Sequence, residues 1–125
     1  MDRIDMWIEV GAVDHHTLLD APVQSNETES IKQAVATARS QQATRFKRNG
    51  RLNSGMSVAG LVHHCVLSDS SKDILNTAAT RLSLSPRAYH RVVKLARTIA
   101  DLESSTTIED AHILEALSYR PKNEW

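Results

Sequence analysis

Four basic side chains in the second half of the chain have the spacing of one helical face. Arg87, Arg91, Lys94 and Arg97 follow one another in steps of four, three and three residues, and residues at these steps are neighbours on an α-helix. Like charges at such positions repel, and no acidic residue is interleaved with them before Asp101. The pattern favours a partner that carries phosphate, with a solvated charged face as the alternative.

The same segment shows where its helix should begin. Ser85 supplies a capping hydroxyl, and Pro86 has the backbone angle of a first helical residue. Arg87 therefore falls in the first turn, where free N–H groups and the positive end of the helix dipole attract anions. We expect the helix to run to about Glu103. Its buried face is predicted to contain Tyr89, Val92, Ala96, Ile99 and Ala100.

Other reactive side chains form weaker patterns. His15-His16 and His63-His64-Cys65 are adjacent pairs, and adjacent helical positions diverge by about 100°, whereas a helical metal pair uses positions i and i+4. No Gly-rich phosphate loop, Gly-x-Ser-x-Gly or His-Glu-x-x-His occurs in these 125 residues. The sequence predicts no metal site and no catalysis by this chain alone. Cys65 is predicted to be a small buried residue.

The charges are distributed unevenly although the formal net charge is zero. Residues 39–97 hold eleven basic and two acidic side chains, and both flanks are acidic. A basic middle could contact nucleic acid or could neutralise the chain's own flanks, and charge alone does not decide between them. A nucleic-acid contact would use the following cations: Arg45, Lys47, Arg48, Arg51, Arg91, Lys94 and Arg97.

Size and composition indicate one domain from a reducing compartment. A chain of 125 residues can bury a single core without staples. Cys65 is the one cysteine, which excludes an internal disulfide. The first ten residues carry three acidic side chains, unlike a signal peptide, and no apolar run approaches the ~18 residues of a membrane span. We therefore expect a cytoplasmic protein with no membrane partner.

The remaining pattern is one strand, a linker and helices. Residues 3–13 alternate apolar and polar side chains, as a half-buried strand does, and a strand without partners suggests a fragment. Residues 14–26 read as a linker and 45–55 as a basic loop. Helices are predicted over 27–46, with Asn26 as cap, over 57–66, from a capping box at Ser70–Asp73 to about Ser83, and from Thr107. The last helix is predicted to bury a stripe formed by Ile108, Ala111, Leu114 and Leu117.

These residues resemble a known family. Residues 85–102 read SPRAYHRVVKLARTIADL, and further matching positions are Ile108, His112, Glu115-Ala116-Leu117 and Tyr119-Arg120. This pattern resembles the C-terminal domain of the magnesium-chelatase-like AAA+ ATPases of bacteria, the YifB/ComM group. Asp2-Arg3-Ile4-Asp5 is similar to the segment that closes their ATPase core.

The resemblance implies a mainly α fold. Residues 26–125 would be a helical bundle, the AAA+ lid, and residues 1–25 would be the end of the ATPase core and a linker. The N-terminal strand would be left over from an absent α/β core. Arg3 would be the arginine finger and Arg87 the sensor-2 residue that reaches the ATP γ-phosphate. ATP and Mg²⁺ would belong to the full-length parent, and this fragment would bind neither tightly.

The implied function is that of a lid that couples ATP binding and hydrolysis to oligomer packing. Other copies of the full-length protein, arranged as a hexamer, would be its partners, and a ComM-type DNA helicase motor is the favoured parent. Two alternatives remain open at this point. The chain could be a stand-alone helical DNA-binding module, or part of the motor subunit of a magnesium chelatase.

Overall fold

The computed structural model describes residues 4–11, 25–47 and 51–120. The described residues form five α-helices and a single 3₁₀ turn, Asn53–Gly55. The helices are α1 (Ser25–Phe46), α2 (Val58–His64), α3 (Asp69–Leu82), α4 (Pro86–Leu102) and α5 (Asp110–Ser118). The predicted mainly α fold is confirmed. None of these helices is both long enough and apolar enough to cross a membrane.

Helix α4 is the centre of the bundle. It packs against α1, the 3₁₀ turn, α2 and α5, and α3 packs against α5. The interior residues of α4 are Ala88, Val92, Val93, Ala96, Arg97, Ile99, Ala100 and Asp101. Apolar side chains from α2, α3 and α5 complete the core: Leu61, Leu75, Ile113 and Ala116. A displacement of α4 is therefore transmitted to the rest of the bundle.

The start of α4 lies where the sequence predicts it. The Ser85 hydroxyl accepts a hydrogen bond from the Ala88 N–H at 3.1 Å, and Pro86 is the first helical residue. Helix α3 also ends as predicted, because Ser83 adopts a left-handed conformation with φ 51°. Both signals are local, and the tertiary structure leaves them unchanged.

The start of α3 differs from the prediction. Ser68, and not Ser70, is the cap, and its hydroxyl accepts from the Ser71 N–H at 3.1 Å. The hydroxyls of Ser70 and Ser71 instead donate to the carboxylate of Asp110, at 2.7 and 2.6 Å. A tertiary contact with α5 has taken the side chains that the local pattern assigned to the cap.

The buried stripe predicted for the last helix is only partly correct: Ile108 is buried and Leu117 packs against the core, whereas Ala111 and Leu114 are exposed. Helix α5 begins at Asp110, and Leu114 is 55% exposed. Ile108 precedes the helix in a parallel β-bridge with Leu67. Because Ile108 is extended, it does not set the phase of the helix. The residues that α5 buries are His112, Ile113 and Ala116.

The predicted N-terminal strand is not formed in the described part of its range. Residues 4–11 contain neither helix nor strand, and Ile8 and Val10 are exposed. The backbone N–H of Trp7 donates to the carbonyl of Tyr119 at 2.7 Å, which ties this segment to the end of α5. An alternating sequence requires a neighbouring strand before it can form a ladder.

Helix α1 covers the predicted range, but its apolar face is only partly used. Ala38 and Gln42 are buried, whereas Ile31 and Val35 are exposed. The C-terminal half of α1 thus packs on α4, and the N-terminal half projects from it. Asn26, predicted as the cap, falls inside this helix. The linker over 14–26 lies outside the described residues except for the first two residues of α1.

Candidate functional site

A cleft of about 570 Å³ lies along one side of α4. Its walls come from α4, the 3₁₀ turn and the N-terminal segment 4–11. The lining residues are Asp5, Met6, Ser54, Arg87, His90, Arg91, Lys94, Leu95 and Thr98. We call the four cations Arg87, Arg91, Lys94 and Arg97 the basic stripe, and the first three of them line this space. We call the space the cationic cleft.

Arg87 lines the cationic cleft at the start of α4. It lies in the first turn of α4 and is exposed. Within the described part of the chain, its guanidinium forms no hydrogen bond or ion pair. The planar guanidinium is thus free to take a phosphate by two parallel hydrogen bonds, beside the positive end of the helix.

Arg91 and Lys94 lie deeper and have partners. Nη1 of Arg91 is 3.0 Å from Oδ1 of Asp5, and the side chains are 19% and 56% exposed, respectively. This contact is within ion-pair distance, yet the buried Nη1 makes no well-directed hydrogen bond. Nζ of Lys94 donates to the backbone carbonyl of Ser54 at 3.2 Å. Both cations are therefore held only loosely.

Arg97 does not share the exposed face to which its spacing assigned it. Its side chain is only 4% exposed, and it donates to the carbonyls of Ser105 and Thr106 at 2.8 and 3.2 Å. Its Nη2 also lies 3.1 Å from Oδ1 of Asp101, one turn along α4. The loop after α4 wraps over Arg97 and accepts hydrogen bonds from both of its Nη atoms, while its buried Nε has no hydrogen-bond partner. Arg97 is therefore not accessible to a nucleic acid.

Arg45 is likewise committed to Asp101. The carboxylate of Asp101 is fully buried, and it accepts two hydrogen bonds from the Arg45 guanidinium, at 2.7 and 2.9 Å. Asn53 adds a third bond through Nδ2 at 2.9 Å. The predicted basic loop thus contributes Arg45 to the interior. We call this group of Arg45, Asn53, Arg97 and Asp101 the Asp101 network.

Asn53 has a role that the sequence analysis missed. Besides Asp101, its side chain bonds Arg45 at 2.8 Å and Thr98 at 3.1 Å, and its backbone N–H donates to Gln42 at 2.8 Å. These contacts join α1, the 3₁₀ turn and α4. The Arg97-Asp101 spacing of i and i+4 is a signal for one pair in this network. No local signal marks Asn53, because its partners are distant in the sequence.

Two other predicted nucleic-acid residues line a second, smaller cavity of about 250 Å³. Lys47 and Arg51 line it, and the Arg51 guanidinium is 5.7 Å from the centre of the Phe46 ring, a cation–π distance. His64 lies edge-on to Phe46, and burial together with the nearby His63 and Arg45 lowers the pKa of His64. Arg48 lies outside the described residues, as does Arg3, the predicted arginine finger.

The buried titratable groups serve the fold. Nδ1 of His112 accepts from the Glu109 N–H at 2.9 Å, and its Nε2 lies 2.7 Å from a Glu103 carboxylate oxygen, so His112 caps α5. Cys65 is buried, as predicted, and burial raises the pKa of its thiol to about 11. Among residues 4–11, 25–47 and 51–120, no three His, Cys, Asp or Glu side chains are grouped to hold a metal ion.

The chain is similar in sequence to known proteins. The competence protein ComM of Haemophilus influenzae is 33% identical over 120 residues, which are 96% of this chain and 23% of ComM. The uncharacterized proteins YifB of Escherichia coli and of Salmonella typhimurium are 34% and 31% identical, with the same coverage. The chain therefore spans about a quarter of the length of these curated relatives. A family model described as magnesium chelatase, subunit ChlI C-terminal, matches residues 25–120, the whole helical bundle. The chain belongs to this family of magnesium chelatase C-terminal domains.

Proposed function

We propose that this chain is the C-terminal lid of a magnesium-chelatase-like AAA+ ATPase and that Arg87 is its sensor of nucleotide phosphate. The observation that carries the proposal is the guanidinium of Arg87, which lines the cationic cleft and has no hydrogen bond or ion pair within the described part of the chain. Arg87 combines three features that suit it to phosphate: exposure, a position in the first turn of a helix, and the absence of an ion pair with any described carboxylate.

The packing of α4 supports the proposal that the lid couples nucleotide state to oligomer packing. The helix that begins next to Arg87 has eight interior residues and contacts most of the bundle. A close-packed interior transmits displacement instead of absorbing it. A phosphate that draws Arg87 toward itself therefore reorients the lid as one body and changes the surface that it presents to a neighbouring subunit.

The complete protein supplies what this chain lacks. ATP and Mg²⁺ bind to an ATPase core that precedes this chain, and Arg3 acts as the finger for the nucleotide of an adjacent copy in a hexameric ring in the cytoplasm. This chain alone binds ATP weakly and does not hydrolyse it. Because the reported relatives are ComM and YifB proteins, we favour a ComM-type motor that acts on DNA over a chelatase motor.

The test is Arg87→Ala in the complete protein. Losing one donor to a charged transition state costs about 100-fold in turnover, so we expect ATPase activity to fall by about that factor. Arg81→Ala is the matched control, since Arg81 is an exposed arginine in the last turn of α3. Circular dichroism of both variants checks the fold. ATPase turnover that is equal in the two variants would exclude the sensor role.

A stand-alone DNA-binding module receives less support. Of the seven cations that it would use, Arg45 and Arg97 neutralise Asp101, and Arg91 faces Asp5. Lys47 and Arg51 stay exposed beside Phe46. This alternative predicts that the chain binds DNA with an affinity that falls steeply as salt rises.

A further inference from the structure

Asp5 is an anion that the chain itself places in the cationic cleft. Three cations line this space, Arg87, Arg91 and Lys94, and Asp5 is the one carboxylate among its lining residues. Lys94 donates to the neutral backbone carbonyl of Ser54, which does not cancel the positive charge of Lys94. The described lining thus keeps an excess of positive charge even with Asp5 present, and a polyanion would find uncompensated cations there.

The contact between Asp5 and Arg91 is poorly formed. The two atoms are 3.0 Å apart, but Nη1 of Arg91 is buried and its N–H groups are not directed at an acceptor. The Asp5 side chain is more than half exposed, so solvent screens the pair. A phosphate group carries several oxygens at different angles, and one of them can align with the N–H that Asp5 leaves unsatisfied.

Segment 4–11 connects this ion pair to a second anchor. The Trp7 N–H donates to the Tyr119 carbonyl at 2.7 Å, so the segment crosses from the cleft at α4 to the end of α5. Met6, between the two anchors, lines the cleft itself. A ligand that fills the cleft must therefore contact this segment, and one that binds Arg91 must compete with Asp5.

We infer that Asp5 is an internal competitor for polyphosphate: when the polyphosphate chain of a nucleotide enters the cationic cleft, it displaces Asp5 from Arg91 and moves segment 4–11. The inference rests on the proposed function of this cleft and adds Arg91 to the phosphate-binding residues. It also makes the connection to the preceding part of the protein respond to the ligand. Asp5 then holds the segment to Arg91 only while the cleft lacks polyphosphate.

Inorganic tripolyphosphate is a suitable probe, with this chain at low salt. The chain contains two tryptophans, Trp7 and Trp125, so Trp125→Phe leaves Trp7 as the reporter of the segment. We expect saturating tripolyphosphate to change Trp7 emission. Removing one like charge next to the ligand is worth about fivefold in affinity, and Asp5→Asn should tighten binding by about that factor. Arg91→Gln should weaken it by at least about tenfold.

Glu9→Gln is the control, because it removes the same charge from an exposed position on the same segment. An affinity gain in Asp5→Asn that Glu9→Gln does not match supports the competition. Three results would each overturn the competition by Asp5. The first is equal tripolyphosphate affinity in these two variants, and the second is Trp7 emission that does not change at saturation. The third is no binding by either the parent chain or Asp5→Asn. Arg87→Ala in the complete protein tests the ATPase role separately. If the tripolyphosphate experiment overturns the competition by Asp5, the proposed ATPase role of Arg87 is unaffected.

Discussion

Two regions of this molecule each place arginines around one aspartate, and they do so with opposite results. In the Asp101 network the carboxylate is fully buried and accepts three hydrogen bonds of 2.7–2.9 Å from Arg45 and Asn53. In the cationic cleft Asp5 is 56% exposed and has one undirected contact with Arg91 at 3.0 Å. Both regions combine arginines with an aspartate, but the two carboxylates differ in solvent exposure and in the number of their partners.

The difference separates a structural ion pair from a binding site. A charge inside a protein is tolerated only when its attraction to its partners and its hydrogen bonds offset the lost hydration. The Asp101 carboxylate meets this condition through three side chains from three elements. In the cationic cleft Asp5 and Arg87 remain exposed to water, and Arg87 has no partner among the described residues, so this cation is available to a ligand. Removing a charge should therefore affect stability in the first region and binding in the second.

The largest effect is expected for Asp101→Asn. The change leaves Arg45 and Arg97 buried or nearly so without a carboxylate, and breaking a buried pair costs about 3–5 kcal/mol. Urea denaturation followed by circular dichroism measures the free energy of unfolding. Asp5→Asn is the matched change in the cleft, and we expect it to alter this free energy by less than about 0.5 kcal/mol. Similar losses in both variants would contradict the distinction.

A smaller effect on the free energy of unfolding is expected when one arginine from each region, Arg97 or Arg87, is exchanged for neutral glutamine. Arg97→Gln removes a charged donor that serves Asp101 and two carbonyls, and we expect a loss of about 2–3 kcal/mol. Arg87→Gln changes an exposed residue of the same helix and should stay within about 0.5 kcal/mol. Thermal melting of the two variants checks the pair. Equal melting temperatures would mean that the burial of Arg97 contributes nothing.

The smallest effect concerns Asp110, a carboxylate outside the Asp101 network. Hydrogen bonds from Ser70 and Ser71 lower its pKa below the ordinary 3.8. A lowered pKa in the folded state adds stability above pH 3.8, and this stability is lost as the pH falls through the folded value. Asp110→Asn should therefore be slightly less stable than the parent at neutral pH.

The difference between Asp110→Asn and the parent should shrink as the pH falls below 3.8. Melting curves of both proteins at neutral and at acidic pH measure it. A gap that stays constant with pH would show that the Asp110 charge does not matter to the contact with α3.

Local signals in the sequence predicted much of the fold. Ser85-Pro86 marked the start of α4, and the end of α3 near Ser83 was also predicted, because capping depends on residues within one turn of each other. The buried stripe of α5 was not predictable in this way. Its phase depends on Ile108 being held extended by Leu67, a residue 41 positions earlier in the chain.

The candidate site was likewise predictable from the sequence only in part. The spacing of the basic stripe predicted that Arg87, Arg91 and Lys94 share a side of α4, and they do line one cleft. The spacing could not exclude Arg97, whose burial depends on the loop after α4, nor Arg45, whose partner Asp101 is 56 residues away. Asp101 supplies a counter-charge to Arg97 from the next turn of α4, whereas the counter-charge of Arg91 comes from Asp5, which is distant in the sequence.

The sequence by itself determined the helical content, the family and the presence of Arg87 at a helix start. These properties follow from caps, periodicity and a long matching run, all of which are written in neighbouring residues. Only the tertiary structure decided which arginines are neutralised inside the bundle and which line a cleft open to an anion. The reason is that an arginine's electrostatic role depends on its solvent exposure and on carboxylates brought to it by folding, and neither is encoded in helical spacing.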